Sequence, residues 1–220
     1  MEPTIYKPSI YKGAGIYKAG AEGGGGGGGD VAEIGGKKYN ITKIGSQIWT
    51  CENIDWAFNG CVIGGAVSDT EPRGNYYNDD ELTYKENGLL YNYPALVSLN
   101  DKLTGGWRVP SVDDFNLLKS NCNTMGGGDV YINASNTGWL CPGGSNITGL
   151  SLKPSGVRVG AFYSITTYCC MGTITEDGAW YYRHFEANAD TPSTDLYANK
   201  LNNAQSEKNN QVCVRLVKDA

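Results

Sequence analysis

From residue 31 onward, apolar and polar positions alternate with the two-residue period of half-buried strands, and pairs of turn-forming residues interrupt the alternation. Ile34-Gly35-Gly36-Lys37 and Ile44-Gly45-Ser46-Gln47 lie among the alternating Tyr39, Ile41, Ile48 and Trp49, which predicts two tight hairpins. The run at 89–97 suits a short helix in which Pro94 is tolerated only in the first turn, where its missing N–H has no intrahelical partner to lose. A second helix is better marked: Ser111 is placed to cap it with Asp114 three residues on, Pro110 stands just outside, and Phe115, Leu117 and Leu118 supply an apolar face. After Cys122 the chain turns rich in Gly, Asn, Ser and Thr, with short strand-like runs at 150–152, 179–185 and 212–217. Loops dominate that half, and loops held on a rigid scaffold are where recognition usually resides.

The residues before 31 carry no such pattern. Ile5-Tyr6-Lys7, Ile10-Tyr11-Lys12 and Ile16-Tyr17-Lys18 repeat a tripeptide around Pro8, Gly13 and Gly15, which reads as an extended docking segment over 1–22 or, more blandly, as a sticky tail. An unbroken glycine run from Gly23 to Gly29 makes 23–30 a flexible linker, leaving 31–220 as one domain. A packed polyglycine array, as in some phage tail tips, is the rarer alternative.

Composition narrows the function. A length of 220 residues allows one substantial core, and a formal charge of −5 gives no footprint for nucleic acid. Fifteen Tyr against four Phe favour amphipathic rings at a contact surface, although strand faces also take Tyr. No run is apolar for the ~18 residues of a membrane span, and residues 1–30 have no signal-type apolar stretch, so either a leader is missing or release follows another route, such as lysis around a phage particle. Seven cysteines cannot all pair internally, no CxxC occurs, and His184 is the only histidine, so an ordinary zinc site is not expected. The cysteines read mostly as small buried residues, with a Cys51–Cys61 or Cys122–Cys141 bridge left open. No cofactor and no metal is called for.

Several pieces together resemble the Fibrobacter succinogenes major paralogous domain, grouped among C-type-lectin-like folds. They are Ile44-Gly45-Ser46-Gln47-Ile48-Trp49 with Glu52-Asn53, Leu90-Tyr91-Asn92-Tyr93, and Gly106-Trp107-Arg108-Val109-Pro110-Ser111 with Phe115 and Leu118. They continue through 152–158, Gly160-Ala161-Phe162, Ala179-Trp180-Tyr181-Tyr182 and the ending 212–218, covering about 31–220. The resemblance implies an α+β, C-type-lectin-like fold of short strands, two flanking helices and long loops, with the N- and C-terminal strands beside each other. Trp49, Trp107 and Val109 read as core, and Arg215 as a buried charge paired with an acidic residue.

The resemblance departs at Tyr168-Cys169-Cys170-Met171-Gly172-Thr173, where relatives carry a Tyr-Trp-Ser-Ser-Thr-like stretch, and this is where a ligand surface is expected. Some relatives of this fold are targets of diversity-generating retroelements, which mutate adenines near the end of a gene. Asn, Tyr, Ser, Asp, Thr, His and Cys are all reachable from Asn codons in that way and crowd residues 163–210, although turn chemistry also favours several of them. The candidate ligand-binding residues are Thr167, Tyr168, Cys170, Tyr182, His184, Asn188, Tyr197, Asn199 and Asn209.

The resulting expectation is a non-enzymatic receptor-binding module at a phage tail fibre tip, or otherwise extracellular. Its partners would be a host-cell surface protein or glycan, and other tail or surface-assembly subunits through 1–22; a homotrimer is compatible with this, since trimeric display raises avidity. A bacterial cell-surface adhesin or lipoprotein domain of the same fold is the alternative. A formylglycine-generating-type enzyme is disfavoured, because Cys169 and Cys170 are neighbours in sequence and no converging thiolates in an electropositive setting are evident. A calcium-dependent lectin site is likewise disfavoured, since Glu71-Pro72-Arg73 sets an Arg where an oxygen ligand is needed and Asn78-Asp79-Asp80-Glu81 reads as a solvated turn.

Overall fold

Both turns expected from the alternation are present in the computed structural model, which describes residues 30–124, 146–176, 180–186, 197–200 and 208–220. Strands β1 (Val31–Ile34), β2 (Lys37–Ile44) and β3 (Gln47–Thr50) form an antiparallel meander in which Ile34 pairs with Lys37 and Ile44 with Gln47. Gly35 and Gly36 both take positive φ (59° and 77°), the pair of left-handed positions a type I′ turn requires. A side chain at Gly35 would also overlap the Trp56 indole, so backbone and packing both select glycine there.

The middle of the chain builds a small sheet in the order β4 (Val62–Ile63), β5 (Arg73–Asn75) and β6 (Leu90–Tyr91), with the short helix α1 (Glu81–Tyr84) between β5 and β6. The expected helix at 89–97 is therefore two elements: β6, and then α2 (Tyr93–Asn100). Asn92 divides them. Its side-chain oxygen accepts from the Ala95 N–H at 3.0 Å, capping α2, and from the Arg73 N–H at 2.9 Å, while its amide donates to the Ser68 and Glu71 carbonyls. Pro94 does fall in the first turn of α2.

Helix α3 (Val112–Asn123) starts on the expected capping box, with reciprocal bonds between Ser111 and Asp114. Its buried face differs from the expected one by a single residue. Phe115, Leu118 and Cys122 are fully buried at i, i+3 and i+7, whereas Leu117 falls off that stripe and is exposed. Asp114 also accepts from Arg108 at 2.6 Å, and the same Arg108 nitrogen donates to Asp219 at 2.9 Å, tying the helix start to the end of the chain.

The second half contains the hairpin β7 (Val157–Val159) and β8 (Ala161–Tyr163), then β9 (Tyr168–Glu176), β10 (Trp180–Glu186), β11 (Tyr197–Lys200) and β12 (Val217–Asp219). Strands β11, β10 and β9 form one antiparallel sheet in that order. β12 pairs with β3, Val217 opposite Trp49, so the closing strand lies beside the third strand of the first sheet and not beside β1 at its far edge. The architecture is α+β. Of the other expected strand-like runs, 150–152 contributes only a bridge at Leu152, and 212–217 is mostly single bridges, Tyr91 with Val212, Met171 with Cys213 and Arg108 with Val217.

The C-terminal segment separates two buried clusters. Cys213 and Val217 join Ile44, Trp49, Phe115, Leu118, Cys169 and Met171, while Val212, Val214 and Leu216 join Tyr91, Leu96, Leu99, Val109, Cys170 and Trp180. Its alternating side chains thus serve both sides at once.

Two measurements test this account. Trp49, fully buried with its ring 5.3 Å from that of Phe115, should lose stability on Trp49→Ala near the top of the ~3–5 kcal/mol range for large buried aromatics. Trp107, at the edge of the core with Lys218 Nζ 5.1 Å from its ring centroid, should lie near the bottom of that range in the same urea titration. The second measurement concerns acid. Burial opposes ionisation of Asp114, but the bonds from Arg108 and Ser111 outweigh it and hold its carboxyl below the usual range. A depressed carboxylate stabilises the fold above its unfolded pKa of about 3.9 and ceases to do so as pH falls through the folded value. Asp114→Asn should therefore cost about 1–2 kcal/mol at neutral pH, after allowance for solvent screening, and that difference should shrink only below about pH 4.

Candidate recognition surface

β9 occupies the inner edge of the β11-β10-β9 sheet and is packed on both sides. Cys169 and Met171 lie in one buried cluster and Cys170 in the other, and a side chain at Gly172 would overlap Leu96. The stretch expected to carry a ligand surface, 168–173, is therefore mostly core. Cys170 is 2% exposed and unavailable for display, which corrects its place among the binding residues. The physical reason is that β9 carries hydrogen bonds on both edges, to β10 and through Gly172 N–H to the Cys213 carbonyl at 2.8 Å, so its residues back the sheet.

The ladder collects most of the remaining candidates by register. Tyr182 is opposite Asn199 on β11 and Gly172 on β9; His184 is opposite Tyr197 and Cys170; Tyr168, half-buried at the start of β9, is opposite Glu186. The pairing shifts between Trp180 and Tyr182, and Trp180 is anchored inside, its ring N–H donating to the Thr173 carbonyl at 2.8 Å. Thr167 sits half-buried in the turn before β9, its N–H donating to the Ser164 carbonyl. Asn209 is half-buried in the turn ahead of the C-terminal segment, outside the ladder. Asn188 lies outside the described residues, as do 1–29 and Cys141.

A cavity of about 490 Å³ lies apart from the ladder strands, lined by residues including Asn40, Thr42, Cys51, Glu52, Lys153 and Arg215. Arg215 forms its inner wall and is 1% exposed. Its expected acidic partner does not exist among the described residues. Instead Nε donates to Asn53 Oδ1 at 3.1 Å, Nη1 to the carbonyls of Thr50 and Leu150, and Nη2 to the carbonyl of Ser151 at 2.9 Å. Ser151 holds a left-handed backbone (φ 54°), and its N–H is bonded to Asn146 Oδ1. Strain of about 1–3 kcal/mol is the usual cost of such a conformation. It is the conformation in which the Ser151 carbonyl reaches the guanidinium.

Cys51 and Cys61 are unbonded thiols, so that bridge is absent; burial pushes each up to about 11. The juxtaposition the sequence did not reveal is Cys169 with Cys213, whose sulfurs approach to 3.9 Å from positions 44 residues apart. The Glu71-Pro72-Arg73 stretch is closed on itself by an ion pair of 2.6 Å between Arg73 and Glu71, and Asp80 accepts from the Thr83 N–H as the N-cap of α1.

Residues 42–218 match the family model of the Fibrobacter succinogenes major domain. No curated protein matches, and no solved structure matches.

Removing the Arg215 side chain without replacing its hydrogen bonds should be costly, because three backbone carbonyls and Asn53 lose their donor. Arg215→Met should destabilise the chain by at least about 3 kcal/mol in urea, since each buried acceptor left unpaired costs roughly 1–3 kcal/mol. A loss below about 1 kcal/mol would show that water replaces the guanidinium.

Proposed function

Since the chain belongs to the Fibrobacter succinogenes major domain family, we propose that it is a recognition module of C-type-lectin-like type, which binds a partner on the host-cell surface through its β10–β11 ladder. The observation that carries this reading is the register. Tyr182, His184, Tyr197 and Asn199 occupy facing positions on two neighbouring strands, while residues 169–173 of the third strand, β9, are buried beside them. A rigid inner strand supporting outer ones is the arrangement in which many outer residues are replaceable without loss of fold. Adenine-directed diversification of residues 163–210 by a retroelement suits it, as does placement at a phage tail fibre tip with the tripeptide repeats as attachment.

A binding role also accords with the chemistry of the cavity. Its cysteine, Cys51, is held protonated by burial and is a poor nucleophile near neutral pH. The second reading, a bacterial surface adhesin or lipoprotein domain, shares the site and differs in the carrier. A neighbouring reverse transcriptase gene, with a near-copy of the 163–210 coding stretch differing at adenines, favours the first; a static gene favours the second.

The direct test uses cells to which the wild-type chain adsorbs. Replacing Tyr182 and His184 together by Ala should abolish adsorption while circular dichroism and melting stay close to wild type. Glu71→Ala combined with Asp80→Ala, both outside the ladder strands, should leave adsorption intact. Full adsorption by a folded Tyr182/His184 variant would remove the ladder as the site.

A further inference from the structure

Cys169 and Cys213 are both fully buried, with sulfurs 3.9 Å apart, and Cys213 also donates to the Cys170 carbonyl at 3.1 Å. A disulfide does not fit the register. Met171, not Cys169, is the bridge partner of Cys213, so the two cysteines are diagonal neighbours. In a parallel pair, a strand spacing of about 4.8 Å and a two-residue offset of about 6.6 Å put diagonal Cα atoms roughly 8 Å apart, beyond the roughly 4.4–6.8 Å that a disulfide spans. Two metal–thiolate bonds of about 2.3 Å each reach up to about 4.6 Å between sulfurs, which brackets the observed separation.

The surroundings limit which ion suits this pair. No group of three or more His, Cys, Asp or Glu side chains able to hold a metal occurs among the described residues, so four-coordinate zinc lacks ligands. The surroundings are apolar: Met171, the bridge partner of Cys213, belongs to the same buried cluster. Of the centres that soft sulfur ligands favour, zinc and iron–sulfur clusters call for four protein ligands, whereas Cu(I) is held by two. Charge supplies the third constraint. Arg215 carries a buried cation with no carboxylate partner among the described residues, and it follows Cys213 by two positions on the same segment. A monovalent ion between two thiolates has a net charge of −1, which the guanidinium balances.

We propose that Cys169 and Cys213 bind one soft monovalent cation of the Cu(I) type between their sulfurs, with Arg215 as the counter-charge. Binding releases two protons, one from each thiol, and changes no oxidation state. The ion would fasten the inner strand of the recognition sheet to the C-terminal segment. The inference does not depend on the ladder being the binding surface.

The full chain, reduced and kept anaerobic, would be refolded with Cu(I) and, in parallel, with the redox-inert probe Ag(I), then desalted. One equivalent of either ion should be retained per chain, with sulfur-only coordination of copper by X-ray absorption and a raised melting temperature. Cys169→Ser and Cys213→Ser should each weaken retention more than about 100-fold, since losing outer-sphere partners alone costs about 10–100-fold. Cys51→Ser and Cys61→Ser should retain the ion as wild type does. If the Cys169 and Cys213 variants fail to fold, the wild-type coordination decides: nitrogen or oxygen ligands at copper overturn the proposal. So do failure to retain either ion, retention by a folded Cys213→Ser chain, or a Cys169–Cys213 disulfide recovered from air-exposed protein.

Discussion

A buried guanidinium held by neutral groups organises this domain. Arg215 comes from the last segment of the chain and reaches two regions about a hundred residues apart, the end of β3 with the adjoining Asn53 and the turn at 150–151. A carboxylate would pair with one side of such a cation. Carbonyls and an amide let it gather several backbones at once, since a guanidinium offers five donors in a fixed fork. Burial pushes its pKa down, the cost of taking a guanidinium out of water. The desolvation that it suffers is met by oriented dipoles, and one of these, Ser151, adopts an unfavourable backbone conformation to take part.

The segment that carries Arg215 also explains how a chain with so many loops has a continuous interior. It alternates Val212, Val214 and Leu216 on one side with Cys213 and Val217 on the other, and joins two clusters that would otherwise be separate. Its backbone is shared among distant elements, pairing with Tyr91, Met171, Arg108 and, through β12, Trp49. These pairings are all long-range, the kind that slow folding because the chain must close large loops before they form.

What could be read from the sequence was what local chemistry determines. The two glycine turns, the Ser111–Asp114 box and the burial of Trp49 and Val109 follow from residues within a few positions of one another. The errors arose where a distant partner decides. Asn92 splits an apolar run that looks helical because its side chain is also claimed by 68–73. Cys170 falls in a stretch rich in small and polar residues, but β9 is covered on both faces by elements from elsewhere in the chain. The conjunction of Cys169 and Cys213 depends on a parallel bridge that no spacing rule foretells. Arg215 was visible as an unusual charge in an apolar run, and its neutral partners were not.

The order of these parts along the chain has a consequence for synthesis. The segment that completes the core, 211–217, is translated after the stretch 163–210. A stop codon or frameshift arising anywhere in that stretch removes Arg215 and β12 together, leaving both clusters open and the carbonyls of Thr50, Leu150 and Ser151 without their donor. Such products cannot reach the native state and are left to proteolysis. In-frame changes in the outer strands keep the closing segment intact. The topology therefore screens its own sequence variants during biosynthesis, admitting substitutions and rejecting interrupted reading frames.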